Sequence, residues 1–227
     1  MRRLLTPVLT LGLFAALLPA TAGAAGLDVR FGGFFPRADK SLFQDDSELY
    51  TVSKSDWNGF TGGIEGNFIL ARNFELGVHF DAYGKTVDTV YRDYVRDDGS
   101  DIRQTLKLET FPIGFTFRIV PTSRRARVAP YVGVGADLVI WRYREFGDFI
   151  DFFDPTLPVL NDSFESNGVA PGFHATAGLR VALNEDVSIV GEGRYQFAKE
   201  DNMGDDFRDL SLDLNGWYAT LGVHVRF

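Results

Sequence analysis

GWYATLGVHVRF, residues 216–227, ends the chain on an alternation that decides the fold. Successive side chains of a strand point to opposite faces, so Ala219, Leu221, Val223, Val225 and Phe227 share one face and Tyr218, Thr220, His224 and Arg226 share the other. One face is oily and the other polar. Such a strand has to meet an apolar medium on one side and a polar interior on the other.

Seven earlier segments repeat the pattern. Leu27–Phe35 sets Leu27, Val29, Phe31 and Phe35 against Asp28 and Arg30. Gly59–Leu70 sets Phe60, Ile64, Phe68 and Leu70 against Thr61, Glu65 and Asn67, and Phe74–Tyr83 sets Phe74, Leu76, Val78 and Phe80 against Glu75, His79 and Asp81. Arg103–Ile119 reads as changing phase, from even Leu106 and Leu108 to odd Phe111, Ile113, Phe115 and Phe117, which predicts a bulge near Glu109, Thr110 and Pro112. Pro130–Trp141 sets Val132, Val134, Leu138 and Ile140 against Gly133, Gly135 and Asp137, and Phe173–Leu183 and Val187–Phe197 complete the set. Each is long enough for the roughly 9 to 11 residues with which a tilted strand crosses a bilayer.

Turn geometry checks the alternation. A hairpin centred on Arg72 pairs Leu70 with Phe74, Phe68 with Leu76 and Ile64 with Phe80, while Glu65 falls opposite His79. A hairpin centred on Glu185 pairs Leu183 with Val187, Val181 with Ile189 and Leu179 with Gly191, with Gly178, Arg180 and Glu192 on the polar face and Val190 as an apolar intruder. The links at 71–73, 121–127 and 184–186 are short, whereas those at 36–58, 84–102, 144–172 and 198–216 are long, with strands able to continue into them around Lys85–Tyr94. Short periplasmic turns, long outer loops and both termini in the periplasm are the outer-membrane pattern.

The opposite end of the chain agrees. Arg2 and Arg3 precede an apolar stretch, Leu4–Leu18, and then small residues offering Ala-x-Ala cleavage sites at Ala22 or Ala24, so residues 1–24 read as a cleavable signal and residues 25–227 as one domain. Past the signal there is no apolar run of the ~18 residues a spanning helix needs, so the membrane has to be entered as a closed barrel. The expected fold is all-β: a single up-and-down antiparallel transmembrane barrel of about eight strands. The chain has no cysteine and a formal charge of −8, about −10 without Arg2 and Arg3, which excludes thiolate chemistry and argues against nucleic acid as a partner. Trp57, Trp141 and Trp217, with Tyr83, fall at the expected outer ends of strands and read as an outer aromatic girdle.

GWYATLGVHVRF, the strand APYVGVGADL at residues 129–138 and the terminal Phe227 resemble the small barrels grouped as OmpA-like, OmpW-like and opacity-protein-like outer-membrane domains. The resemblance implies a bacterial outer-membrane location among lipid and lipopolysaccharide. It also implies that the barrel-assembly machinery reads the last strand, with Phe227 as the chief signal and Tyr218 and Val225 as lesser ones.

The polar face carries Asp28, Arg30, Glu65, Glu75, His79, Asp81, Asp137, His174, Arg180, Glu192, Arg194, His224 and Arg226, together with Arg103 and Lys107. An eight-stranded barrel is narrow enough for side chains to fill it, so opposite charges on that face are expected to form a salt-bridged plug. The function this implies is structural or one of surface interaction. A passive channel for small or hydrophobic solutes is the alternative, kept open by the OmpW-like resemblance. A third reading is enzymatic: His174 and Thr176 with Glu192 resemble the His-x-Ser and Glu of lipid A deacylases, but with threonine in place of serine and facing the lumen. No cofactor and no metal site is expected, because the acidic clusters at 45–48, 97–101, 148–154 and 201–206 lack EF-hand spacing and read as solvated loops. Phe146, Phe149, Ile150, Phe152 and Phe153 stand out as apolar residues in an outer loop, suited to packing over the barrel mouth, to lipid or to a surface ligand.

Overall fold

β1 (Ala24–Pro36) is hydrogen-bonded on one side to β2 (Gly59–Ala71) and on the other to β9 (Gly216–Arg226), so the first and last long strands close a ring. In this computed structural model, which describes residues 24–123, 126–152 and 154–227, the ring continues through β3 (Phe74–Val95), β4 (Asp101–Ile119), β5 (Val128–Ile150), β6 (Val159–Ala182) and β7 (Val187–Glu200). Each is antiparallel to its neighbours, and β7 pairs with β9 to complete eight strands. A two-residue β8 (Leu212–Asp213) lies against the end of β7. Between β1 and β2 the chain forms a helix, α1 (Ser41–Leu49), and a 3-10 turn at Lys54–Trp57. The expected signal lies, up to residue 23, outside the described residues, as does Phe153.

Both expected hairpins form in the expected register. Phe68 pairs with Leu76, Ile64 with Phe80 and Glu65 with His79, and in the other Val181 pairs with Ile189 and Gly178 with Glu192. The first departs at its tip, where the register shifts between Ile69 and Ala71, so that Ala71 and not Leu70 meets Phe74. The links between strands at the other end are shorter than expected because β3, β4, β5 and β6 run on well past the others.

β4 keeps one phase throughout. Its register with β3 and β5 is unchanged past Glu109, Thr110 and Pro112, so the expected bulge is absent. What changes is the surroundings. Up to the level of Phe111 and Ile140 the outer surface is a belt of exposed apolar side chains, among them Phe115, Phe117, Val132, Val134 and Leu138, which is the lipid-facing band. Beyond it the outward positions turn polar: Asp88 accepts from Thr105, Lys107 pairs with Glu109 at 2.8 Å, and Arg142 pairs with Glu165. The inward positions turn apolar at the same height, with Leu106, Leu108, Val139, Trp141 and Tyr143 buried. Arg103 and Lys107 therefore face outward into solvent and not into the lumen.

The same inversion corrects the aromatic girdle. Trp217 faces outward at 57% exposure, but Trp57 and Trp141 are each 1% exposed and Tyr83 is buried with them inside the barrel, its hydroxyl donating to the Trp57 carbonyl. Trp141 sits four residues from Asp137 and so shares its inward face, a parity that outweighs its height. The outward aromatics near Trp217 are Tyr195, at 4.9 Å between ring centroids, then Phe197 and Phe173. Brominated lipid tests this assignment: fluorescence of the W57F/W141F double variant, which retains Trp217 alone, is expected to be strongly quenched. That of W217F is expected to change little.

Candidate functional site

The lumen of the lipid-facing section is filled by charge. Arg118, on β4, is fully buried and donates through Nη2 to Glu65 Oε2 at 2.7 Å and Glu192 Oε2 at 3.0 Å, and through Nη1 to Asn67 Oδ1 at 2.7 Å and the other oxygen of Glu65. Arg30, reaching in from β1, donates to Glu192 Oε1 at 2.5 Å and lies 3.2 Å from Glu65 and 3.9 Å from Asp81. Tyr131 donates to Glu192 at 2.8 Å, with the guanidiniums of Arg118 and Arg180 at 4.8 and 5.1 Å from its ring centroid. β1, β2, β4, β5 and β7 thus meet across the axis through two arginines, two glutamates and Tyr131. Buried ions of this kind are tolerable only when each has partners, and alternation on five strands supplies them.

Towards the short-turn end, Arg180 donates to Glu75 at 2.8 Å and Asn67 at 3.1 Å, and His224 Nδ1 lies 2.5 Å from Asp28. Below them a cavity of about 510 Å3 opens to that end, lined by Arg72, Asn73, Arg180, His224 and Arg226 among others. Arg226 lies at this rim, where its guanidinium donates to the Glu185 carbonyl at 3.2 Å. On the other side of the Arg118 cluster, Arg194 donates to Asp81 at 2.6 Å and stacks over Tyr218 at 4.4 Å. Beside it Asp137 takes His174 Nδ1 at 2.8 Å on one oxygen, while its other oxygen lies 3.0 Å from His79 Nε2 without a hydrogen bond. His174 Nε2 meets Thr116 Oγ1 at 2.9 Å.

Twelve of the thirteen expected lumen residues come together in this layer, and Arg226 marks its edge. Arg118 belongs at its centre although the polar-face reading passed over it; the run Phe115-Thr116-Phe117-Arg118-Ile119 carries the signal, since Arg118 alternates with three apolar residues. The His174, Thr176 and Glu192 trio is dispersed among other partners: Thr176 donates to the Gly193 carbonyl at 3.2 Å, Glu192 is held by Arg30, Arg118 and Tyr131, and His174 by Asp137 and Thr116. Phe227 and Val225 face outward and Tyr218 inward, stacked on Phe34 at 4.3 Å.

Above the charged layer the lumen is roofed. Leu42 and Phe43 of α1 pack with Trp57, Trp141, Tyr143, Phe207, Leu212 and Leu214 into one buried apolar cluster. Ile150 joins it, Phe149 packs edge-on against Phe164, and Phe152 reaches Tyr91 and Tyr94, so the aromatic outer loop partly packs over the mouth. Asp46 of α1, expected among solvated loop acids, is buried here, where Tyr143 Oη bridges it at 2.8 Å to Glu145 at 3.0 Å. Burial and the Glu145 charge push the Asp46 carboxyl well above the usual range, and burial pushes Glu145 up to about 7. The Asp45 charge adds to the shift of Asp46, so burial favours the protonated forms of this Tyr143-bridged pair.

Two outcomes follow from this layer and its roof. Arg118→Met is expected to cost about 3–5 kcal/mol, the range for breaking a buried ion network by removing one partner, read by urea unfolding in lipid vesicles. A loss below about 1 kcal/mol would show that the network contributes little. A carboxyl whose pKa is higher folded than unfolded stabilises the fold fully below the usual carboxylate range, and that contribution is lost as pH rises through its folded value. Protection of the α1 amides, corrected for intrinsic exchange, is therefore expected to fall between about pH 5 and 8 by on the order of 2–3 kcal/mol, and Glu145→Gln is expected to flatten the fall.

The chain matches the family model described as outer membrane protein beta-barrel domain over residues 7–227. No curated protein matches it by sequence. Among solved structures it is similar to the outer membrane protein OprG of Pseudomonas aeruginosa, at 11% identity and a TM-score of 0.53 over 90% of this chain and 96% of that one. It is also similar to a major outer membrane protein of Thermus thermophilus, at 14% identity and a TM-score of 0.50 over 90% of this chain and all of the other. A Neisserial surface protein, NspA, aligns at 16% identity and a TM-score of 0.48 over 90% and 99% of the two chains. At these identities the likeness is one of fold, and with the family match over nearly the whole length the chain belongs to the outer membrane protein beta-barrel domain family, an integral protein of the bacterial outer membrane.

Proposed function

We propose that this barrel is a closed wall element whose work is done at its surface, with the short turns and both termini in the periplasm and the long end outside. The observation that carries this reading is the double closure of the lumen. Arg30, Arg118, Glu65 and Glu192 interlock across the axis, and the apolar cluster under α1 seals the level above. An ion crossing this path would have to break paired buried charges and then traverse an apolar plug, each a substantial barrier.

Orientation follows from the asymmetry of the ends. Links of a few residues join strands at one end, while the other carries β3 to β6 beyond the lipid-facing band, with a polar outer skin of ion pairs. Outer-membrane barrels put the short turns in the periplasm. In this reading the band of exposed apolar residues meets outer-membrane lipid, the extension stands at the level of lipopolysaccharide and presents a surface to external ligands, and the outward-facing Phe227 and Val225, with Tyr218, form the segment engaged by the assembly machinery.

Planar-bilayer recording of the purified barrel discriminates between the readings. No unitary current above the bilayer baseline is expected for the wild type, nor uptake of small apolar solutes into liposomes. Reproducible openings, or uptake lost in a variant with a bulkier roof, would replace this reading with that of a channel.

A further inference from the structure

One carboxylate of the charged layer has no arginine against it among the described residues. Among the described residues the layer buries six carboxylates, Asp28, Glu65, Glu75, Asp81, Asp137 and Glu192, against four guanidiniums, Arg30, Arg118, Arg180 and Arg194. Arginine reaches every one of these carboxylates except Asp137, which meets only the imidazoles of His79 and His174.

The donor geometry at Asp137 fits a divalent cation. One donor atom from each of His79, Asp137 and His174 lies within 4.8 Å of the others, and all three residues are buried. The contact from His79 Nε2 to Asp137 Oδ1 is 3.0 Å long but misaligned, so that both ring nitrogens of His79 and Oδ1 of Asp137 are buried without a hydrogen-bond partner. Unsatisfied polar atoms in a dry interior are rare and costly. Two imidazoles and a carboxylate are a donor set for zinc and similar divalent transition metals, whose bonds of about 2.0–2.1 Å to nitrogen place tetrahedral donors roughly 3.3 Å apart. On the far side of the His174 ring, Nε2 is 2.9 Å from Thr116 Oγ1, the position from which a ligand imidazole donates its second N–H and fixes Nδ1 as the metal-binding nitrogen.

The strands make room for this cluster. His79, Gly114 and Asp137 stand in one row across β3, β4 and β5, and Gly135 pairs with His174 across β5 and β6. A Cβ at Gly114 would stand 2.2 Å from Asp137 Oδ1 and 3.0 Å from His79 Cε1, and one at Gly135 would stand 2.5 Å from His174 Cε1. Glycine at both inward positions lets side chains from three strands converge over them.

We propose that His79, Asp137 and His174 form a binding site for one divalent transition-metal ion of the zinc type inside the barrel. The nearby groups frame the site: Asp81, 3.9 Å from His79 Nε2, is already held by Arg194, and Thr116 orients His174. The site lies beneath the apolar roof, so the ion enters as the barrel folds.

The test is refolding of the full mature chain into detergent with Zn2+ or Co2+ present, followed by desalting and metal analysis. About one equivalent retained by the wild type is expected, with the visible absorption of four-coordinate Co2+ and a melting temperature above that of protein refolded with chelator. The H79Q/H174Q variant is expected to fold, as judged by heat-dependent gel mobility, and to retain no metal. A wild type that folds but holds no metal after desalting overturns the proposal, as does retention equal to that of the folded double variant. Should the double variant fail to fold, the Co2+ spectrum of the wild type decides alone.

Discussion

The ring closes where β1 meets β9, through an unbroken register from Gly26 opposite Arg226 to Pro36 opposite Gly216. In lipid no water is available to satisfy a free strand edge, so this seam lets the other strands exist in the membrane at all. Closure has a second effect. Eight strands enclose a space only about wide enough for side chains, and every second residue of each strand is directed into it. Strands that lie far apart along the chain are thereby made neighbours across the axis: Arg30 of β1 reaches Glu192 of β7, and Arg118 of β4 reaches both Glu65 and Glu192.

Confinement of that kind sorts the interior by height. Where lipid surrounds the barrel, the outward positions have to be apolar, and the inward ones carry the paired ions. Where β3 to β6 rise clear of the lipid-facing band, the outer medium is water, and Thr105, Lys107, Glu109, Arg142 and Glu165 face it while Leu106, Leu108, Val139 and Trp141 go inside. The barrel is a membrane protein with a polar core for part of its height and resembles a soluble β-protein with an apolar core for the rest. β5 passes from one regime to the other between Asp137 and Val139, one inward position apart. α1 and the segment around Leu212 close the second core, within which burial favours the protonated forms of Asp46 and Glu145, bridged by Tyr143.

Much of this was legible in the linear chain, and the failures have a common cause. Alternation in β2, β3 and β9 identified Glu65, His79, Asp81 and His224 as inward, and both hairpins formed about their expected centres. In β4 the apolar residues move from odd to even positions, which reads as a slip in the backbone if the medium is assumed constant. The backbone does not slip; the medium changes. Trp57 and Trp141 misled for the same reason, since a tryptophan suits a membrane interface and an apolar core equally well. Parity with Asp137 marks Trp141 as inward, whereas Trp57 sits in a 3-10 turn where no strand parity applies.

By itself the sequence determined the strands, their faces within the lipid-facing band and the end at which they are joined by short turns, because period-two alternation and turn length are local properties that need no distant partner. Only the tertiary structure decided which inward charges meet, since ring closure and register bring residues of β1, β4 and β7 to one level of the axis. It alone also brought His79, Asp137 and His174 together from three strands over two glycines, and folded α1 into the mouth. The terminal strand shows both sides of this division: its alternation told which side chains turn inward, but only the closed ring placed His224 against Asp28, 196 residues away along the chain.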